Sequence, residues 1–239
     1  MASLLKKFAS NRKYTNFANK AFDALTPPAL RDSKWFCKLL YSPFLGDKTK
    51  YFFEFREKAH ALSMEEYKEY YEKTAGILDR DTDIGPQGIQ QLIQEIKDKK
   101  VLEVGCGNGF LSSQLSENNN VTATDMIVTE KTIQQYPNVN FQDCTAENLP
   151  FKDNEFEITV CAHVLEHVLD FDKCIAELRR VTSQKLYIIV PIQRPAKYTP
   201  DLHLSFFPYP ESFFIRARPQ NKFEYKILDG DLFYCEEQN

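Results

Sequence analysis

Two patterns of apolar and polar residues alternate through the second half of the chain. Short apolar runs are typical of buried strands, and stretches with apolar residues at helical spacing lie before and between them. This order predicts a parallel sheet with right-handed crossovers. The predicted strands are 101–104, 121–124, 139–141, 156–160 and 186–190, and the predicted helices are 87–97, 110–117, 130–135, 164–168 and 171–180.

The end of the chain follows a different pattern. Two apolar runs, 223–228 and 232–235, flank the pair Asp229-Gly230, which is a strong signal for a two-residue hairpin. We therefore expect the sheet to end in an antiparallel hairpin. The predicted fold class is α/β: a Rossmann-like, mostly parallel seven-stranded sheet with helices on both faces.

The first part of the chain contains no alternating strand pattern and is rich in aromatic residues and lysine. Ser63 followed by Glu66 forms a capping box that predicts a helix over 64–73. We interpret residues 1–85 as a helical extension and 86–239 as the main domain. The extension would act either as a stabilising cap or as a lid that contacts substrate.

Charge and composition narrow the class of protein. The net charge is −4, so the overall basic footprint of a nucleic-acid-binding protein is missing and a nucleic acid partner is not expected. No apolar run approaches the roughly 18 residues of a membrane span, and the first residues lack the apolar core of a signal peptide. The six cysteines form no CxxC pair, and we expect a reduced, cytoplasmic protein without a bound metal.

A glycine-rich loop carries the main chemical signal. Three of the eight glycines lie in 105–109, after a predicted strand and before a predicted helix. Glycines permit a tight turn and the close approach of a ligand, and the helix N-terminus supplies N–H groups. Asp125 ends the next strand, where a carboxylate accepts hydrogen bonds from ribose hydroxyls. The arrangement predicts a nucleotide-type ligand, but the glycine spacing is not the GxGxxG of a dinucleotide-binding dehydrogenase.

Four segments in order resemble the motifs of class I S-adenosylmethionine-dependent methyltransferases, in their small-molecule branch. The resemblance covers about residues 86–195. One departure is that Thr182-Ser183-Gln184-Lys185 stands where the family has a glycine pair, so this connection must be built differently. The segments are VLEVGCGNGFLSSQL, TATD, FQDCTAENLPFKDNEFEITVCAHVLEHVLD and ELRRVTSQKLYIIVP.

The resemblance implies S-adenosylmethionine as the cofactor. The backbone at Gly105 and Gly107, with Glu103 beneath, would hold the methionine part. Asp125 would bind the ribose diol, and Asp143 would meet the adenine amino group. The complete implied cofactor-binding set is Glu103, Gly105, Cys106, Gly107, Asp125, Met126, Asp143, Cys144, Ala162 and His163.

Histidines provide the candidate catalytic groups. His163 follows the fourth predicted strand, so we expect it to face the crevice where ligands bind in open α/β sheets. His203, in the loop after the fifth strand, is a candidate general base for an acceptor hydroxyl. Residues 163–167 also match the HxxEH zinc pattern. Because the segment follows a strand in a sheet of the wrong kind, a packed or hydrogen-bonded His167 is the preferred interpretation.

These observations together predict an S-adenosylmethionine-dependent methyltransferase. Aromatic residues in the extension and in 192–222 indicate a partly apolar acceptor pocket. We expect a small-molecule, sugar or lipid-like acceptor, methylated on oxygen. A tRNA-base methyltransferase and a non-catalytic, cofactor-binding regulatory module remain the alternatives.

Overall fold

A computed structural model describes residues 25–74 and 81–238 of the chain. They form two compact units, one of 25–74 with 194–204 and one of 81–193 with 205–238. The loop 194–204 therefore groups with the helical extension instead of with the sheet. The domain boundary at residue 85 stays a prediction, since part of the predicted extension, 1–24 and 75–80, lies outside the described residues.

The 25–74 segment of the first unit is mostly helical. The capping box is confirmed: the Ser63 N–H donates to Glu66 Oε2 at 2.9 Å, and the Glu66 N–H donates to Ser63 Oγ at 3.2 Å. The helix that it begins is therefore fixed at its start, as predicted. The helices are α1 (Pro28–Arg31), α2 (Lys34–Leu45), α3 (Thr49–Lys58) and α4 (Met64–Thr74), with 3₁₀ turns at Gly46–Lys48 and Ala59–Ala61.

Loop 194–204 is fastened to helix α3. Arg56 donates from Nη1 to the His203 carbonyl at 2.9 Å and from Nε to the Lys197 carbonyl at 3.3 Å. The ring of Phe53 stacks on Tyr198 with centroids 4.9 Å apart. A guanidinium that binds several carbonyls holds a loop that has no regular hydrogen-bond ladder of its own.

The second unit is built on the predicted seven-stranded sheet. The strand order is β3-β2-β1-β4-β5-β7-β6. β3, β2, β1, β4 and β5 run parallel, whereas β7 and β6 pair antiparallel. The predicted fold class is confirmed. The strands are β1 (Lys100–Val104), β2 (Asn120–Asp125), β3 (Asn140–Asp143), β4 (Phe156–Ala162), β5 (Thr182–Pro191), β6 (Phe223–Leu228) and β7 (Asp231–Glu237).

Helices cover both faces of this sheet. Leu92 and Leu115 join the core on one face, and Leu178 and Phe213 join the core on the other. None of the described helices combines the length and the apolarity needed to cross a membrane. The helices are α5 (Pro86–Glu95), α6 (Phe110–Ser116), α7 (Glu130–Gln135), α8 (Phe171–Val181) and α9 (Pro210–Ala217).

Two connections differ from ordinary expectation. The predicted helix over 164–168 is wrong, because the segment forms a turn in which the His167 N–H bonds the Val164 carbonyl at 2.8 Å. The Glu166 carbonyl instead accepts the Ser205 N–H at 3.0 Å, so tertiary bonds replace the helical ladder. The unusual Thr182 junction is confirmed: α8 ends at Val181 and β5 begins at the next residue, which leaves no turn for a glycine pair to build.

Candidate functional site

The candidate site lies where the strand order reverses. The chain leaves β3 at one side and returns as β4 beside β1, and ligands of open α/β sheets bind outside the carboxyl ends of the strands at such a point. The predicted cofactor-binding residues lie at or just after the carboxyl ends of four neighbouring strands, β3, β2, β1 and β4. Their placement agrees with a single ligand-binding edge.

The loop after β1 needs its glycines for two different reasons. Gly105 and Gly107 have φ values of +78° and +53°, in the left-handed region that side chains avoid. A Cβ at Gly105 would lie 2.0 Å from Val164 Cγ2, so the absence of a side chain permits close packing. A Cβ at Gly107 would have no atom within 4 Å. Gly107 is therefore where a ligand can approach the backbone.

The N–H groups of this loop are turned towards the end of β2. Those of Gly105 and Cys106 donate to the Thr124 carbonyl at 2.7 and 2.9 Å. The Gly107 N–H donates to Asp125 Oδ2 at 2.8 Å. A phosphate at this position would require several free N–H donors. Because these three N–H groups are already bound to the end of β2, the loop disfavours a pyrophosphate. It suits a ligand that brings its own hydrogen-bond donors or a positive charge.

Asp125 and Asp143 place two carboxylates side by side. They are opposite each other in the parallel pair of β2 and β3. Asp143 Oδ1 accepts the Val128 N–H at 2.7 Å, and the Cys144 N–H bonds the Asp125 carbonyl at 2.9 Å. Burial raises the pKa of Asp125, and the N–H bonds from the backbone, led by that of Gly107, act in the opposite direction. Each carboxylate is thus oriented by the backbone and keeps acceptor capacity for ligand hydroxyl or amino groups.

Glu103 and Cys106 face inward from this edge. Glu103 is buried, with 3% of its surface exposed, and accepts a hydrogen bond from the Ser112 hydroxyl of α6. Burial raises the pKa of the Glu103 carboxyl to about 8, against the effect of the Ser112 bond. Cys106 is also buried, and burial raises the pKa of its thiol. In the structure Glu103 joins β1 to α6, and its predicted contact with the cofactor stays a prediction.

His163 is enclosed by two carboxylates. Its Nδ1 lies 3.2 Å from Glu166 Oε1, and its Nε2 lies 3.3 Å from Asp231 Oδ2. Burial by itself lowers the pKa of His163, but the bonds to Asp231 and Glu166 outweigh it and raise the pKa to about 9. The imidazole is therefore protonated at neutral pH. A protonated ring donates from both nitrogens and has no lone pair with which to act as a base.

The backbone holds this arrangement in place. The His163 N–H donates to the Ile189 carbonyl at 2.8 Å, which extends the pairing of β4 with β5 past Ala162. His163 then takes a positive φ of +57°, and a left-handed residue turns the chain sharply. This turn brings Glu166 back to the ring. The proposed contact of His163 with cofactor or acceptor remains a prediction.

Asp231 and Glu166 are the site residues that sequence analysis did not identify. Asp231 opens β7 opposite Pro191 and is 3% exposed, and Glu166 is fully buried. A signal existed for Asp231, because this acidic residue directly precedes the apolar run 232–235 of the predicted hairpin. Its partner His163 is 68 positions away, and no local pattern identifies such a pair.

The zinc interpretation of 163–167 does not fit the structure. The pattern requires two histidines on one face of a helix. Residues 164–168 form a turn, and the ring of His163 is bound to Glu166 and Asp231. The two-histidine form of the pattern is therefore excluded for the described residues, and the expectation of no bound metal stays a prediction.

His203 belongs to the helical unit. Its Nδ1 lies 3.6 Å from Asp201 Oδ2, and its backbone N–H donates to Asp201 Oδ1 at 3.2 Å. The side chain is 13% exposed. A carboxylate beside one ring nitrogen is the arrangement that orients a histidine base. The catalytic role of His203 stays a prediction.

Comparison with known proteins gives a family and several relatives. Residues 102–190 match the family described as "Methyltransferase domain". A ubiquinone biosynthesis O-methyltransferase of Rickettsia bellii is 30% identical over 141 residues, which are 51% of this chain and 55% of the relative. One from Coxiella burnetii is 36% identical over 101 residues, covering 38% and 43% of the two chains. The chain thus spans about half the length of the curated relatives that it matches.

One solved structure resembles most of the chain. It is the 1,6-didemethyltoxoflavin-N1-methyltransferase of Burkholderia thailandensis, solved with 1,6-didemethyltoxoflavin and S-adenosylhomocysteine. The TM-score is 0.57 at 14% identity, and the match covers 78% of this chain and 89% of that one. At this identity the likeness supports the fold.

Proposed function

We propose that this chain, which carries a methyltransferase domain of the class I S-adenosylmethionine-dependent family, transfers a methyl group to an oxygen atom of a small, partly apolar acceptor. The observation that supports this most strongly is the loop after β1. Its N–H groups bind the end of β2, and Gly107 leaves open space beside Asp125. A cofactor with hydroxyl donors and a positive charge suits this loop better than a pyrophosphate.

The residues at the carboxyl edge of the sheet fit S-adenosylmethionine. Gly107 provides the cradle that a side chain would fill. Asp125 and Asp143 provide the acceptors for its ribose hydroxyls and adenine amino group, with Met126 and Cys144 beside them. In the proposal, Gly105, Cys106 and Glu103 complete the methionine side, and Ala162 and His163 lie at the end of β4.

The chemistry requires positioning more than acid–base catalysis. S-adenosylmethionine supplies a methyl group that is already activated by its attachment to a sulfonium. The chain must hold the acceptor in line with that group and exclude water, and this orientation accounts for most of the rate gain. His163 contributes as a fixed group, because its ring is bound to Glu166 and Asp231 and gives the end of β4 one defined shape.

An oxygen acceptor agrees with the names of the relatives. The curated relatives from Rickettsia bellii and Coxiella burnetii are named ubiquinone biosynthesis O-methyltransferases. A hydroxyl acceptor must lose its proton, and a histidine is suited to take it near neutral pH. His203 is our candidate for this base, since His163 is protonated and bound by two carboxylates.

The proposal is tested by measuring S-adenosylhomocysteine formation with separate acceptor classes. Hydroxylated aromatic quinone precursors, simple sugars and tRNA form the three arms. We expect turnover above the acceptor-free rate with a hydroxylated small molecule, and a product that carries one methyl group on oxygen. Turnover with tRNA alone would contradict the proposal, as would cofactor binding with no turnover in any arm.

The same assay tests the base. His203→Ala should reduce kcat by about 100-fold or more with a hydroxyl acceptor and leave cofactor affinity unchanged. His60→Ala, a change at another histidine of the helical unit, is the matched control and should retain the rate. Equal rates for the wild type and His203→Ala would remove the assignment.

A further inference from the structure

Strand β6 forms an outer edge of the sheet. Among residues 25–74 and 81–238, its ladder partner is β7 alone. The strand is exposed from Phe223 to Ile227 and half-buried at Leu228. Such an edge presents unpaired N–H and C=O groups that can pair with another strand. Apolar side chains line it as well: Phe223, Tyr225 and Ile227 are 37%, 46% and 49% exposed.

The hairpin determines which backbone groups face outward. Leu228 pairs with Asp231 across the two-residue turn, and at the other end the Lys222 carbonyl accepts the Glu237 N–H at 2.9 Å. In an antiparallel ladder, opposed residues alternate between pairs that exchange hydrogen bonds and pairs that do not. Even-numbered residues of β6 therefore bond to β7. The outward-facing backbone groups belong to Phe223, Tyr225 and Ile227.

The geometry points to self-association of two copies of the chain through antiparallel pairing of their β6 strands. Outward-facing residues of one copy must lie opposite outward-facing residues of the other. The registers that keep most of the strand paired are then those in which residue 224, 225 or 226 lies opposite the same residue of the second copy, at the centre of the ladder. In a register centred on Glu224, the two Glu224 side chains lie opposite each other. In a register centred on Lys226, the two Lys226 side chains do so, and like charges repel in both cases. Centring on Tyr225 sets Glu224 of each copy opposite Lys226 of the other.

The same register also matches the apolar face. It sets Phe223 of one copy opposite Ile227 of the second. Phe223 and Tyr225 lie on the face that packs on Phe214 of α9, with ring centroids 5.1 and 5.0 Å apart. The second strand would cover part of the exposed rings. The Glu224–Lys226 pairs fall at non-hydrogen-bonded positions, where opposed side chains come closest and opposite charges stabilise the pair.

Charge-changed variants of the full chain test this register. Lys226→Glu sets Glu opposite Glu at both positions, and Glu224→Lys sets Lys opposite Lys. We expect the wild type to show a concentration-dependent dimer by sedimentation equilibrium in low salt. Each single variant should associate about tenfold more weakly or worse. An equimolar mixture of the two variants should recover dimers, because Glu then faces Lys at both positions of the mixed pair.

Controls separate this result from unfolding and from a different interface. Lys131→Glu, at an exposed position of α7, should leave the dimer unchanged, and thermal unfolding should show that all variants are folded. A monomeric wild type at every concentration would overturn the proposal. A dimer that both single variants retain, or a mixture that stays as weak as its components, would overturn it as well.

Discussion

The two halves of the sheet's carboxyl edge use their charged groups in opposite ways. At the ends of β2 and β3, Asp125 is half-buried and Asp143 exposed, and both are oriented by backbone N–H groups. After β4 and at the start of β7, Glu166 and Asp231 are buried around a protonated His163. Carboxylates that accept hydrogen bonds from backbone N–H groups remain able to bind a ligand. Carboxylates whose charge is balanced by the imidazolium of His163 mainly stabilise the fold. Changes in the first half should alter affinity, and changes in the second should alter stability.

The largest loss of stability is expected at Gly105, which packs against Val164 where the two halves of the edge meet. Gly105→Ala should lower the free energy of unfolding by about 3 kcal/mol, because its Cβ would lie 2.0 Å from Val164 Cγ2 at a φ of +78°. Gly107→Ala meets no atom within 4 Å, so it should cost about 1–2 kcal/mol of backbone strain. Its main consequence should be about tenfold or more weaker S-adenosylmethionine binding. Urea unfolding and calorimetric titration of both variants measure the contrast, and equal stability losses would contradict it.

A change in the ligand-binding half should weaken affinity. Asp125→Ala removes a charge-assisted pair of acceptors worth about 1.5–3 kcal/mol, so S-adenosylmethionine affinity should fall about 10- to 150-fold. Asp172→Ala, at an exposed carboxylate of α8, is the matched control and should bind normally. Titration calorimetry gives both values. Unchanged affinity in a folded Asp125→Ala protein would remove Asp125 from the site.

A change in the second half should affect stability in a pH-dependent way. The pKa of His163 is raised from 6.5 to about 9, so its stabilisation is complete below pH 6.5 and is lost as the pH rises through about 9. Asp231→Asn should therefore be less stable than the wild type by about 2 kcal/mol near pH 6. This difference should shrink above about pH 9.

The neighbouring Asp229 provides the control for that change. Asp229 accepts the Gln87 N–H at 2.8 Å at the start of α5, and its φ of +52° suits asparagine. Asp229→Asn should give a stability difference that is constant between pH 6 and pH 9, as measured by chemical denaturation. A pH-independent loss in Asp231→Asn would contradict the ion cluster.

The part of the site that could be predicted from sequence is encoded locally. The strand, the glycine loop and the helix after it follow one another within 101–117, and Asp125 ends the very next strand. Hydrogen bonds within this short span, such as that from Gly107 N–H to Asp125, depend on residues that a motif already groups together. The fold class was predictable for the same reason, because each strand and each connecting helix shows its own spacing of apolar residues within a short segment.

The half of the carboxyl edge around His163 depends on contacts between residues that are distant in sequence. His163 and Asp231 are 68 positions apart, and they meet because β7 inserts antiparallel beside β5. The turn at 164–168 also escaped prediction, because its apolar spacing is helical while its backbone bonds are tertiary. Loop 194–204 joins the helical unit through Arg56, a residue about 140 positions earlier in a segment without a motif.

Calorimetric titration of the wild-type protein with S-adenosylmethionine and, separately, with NADH determines which cofactor this site binds. We expect micromolar binding of S-adenosylmethionine and no binding of NADH, because N–H groups of the loop after β1 are already bound to β2. Binding of NADH, without binding of S-adenosylmethionine to the folded protein, would contradict this expectation and assign the site to a dinucleotide.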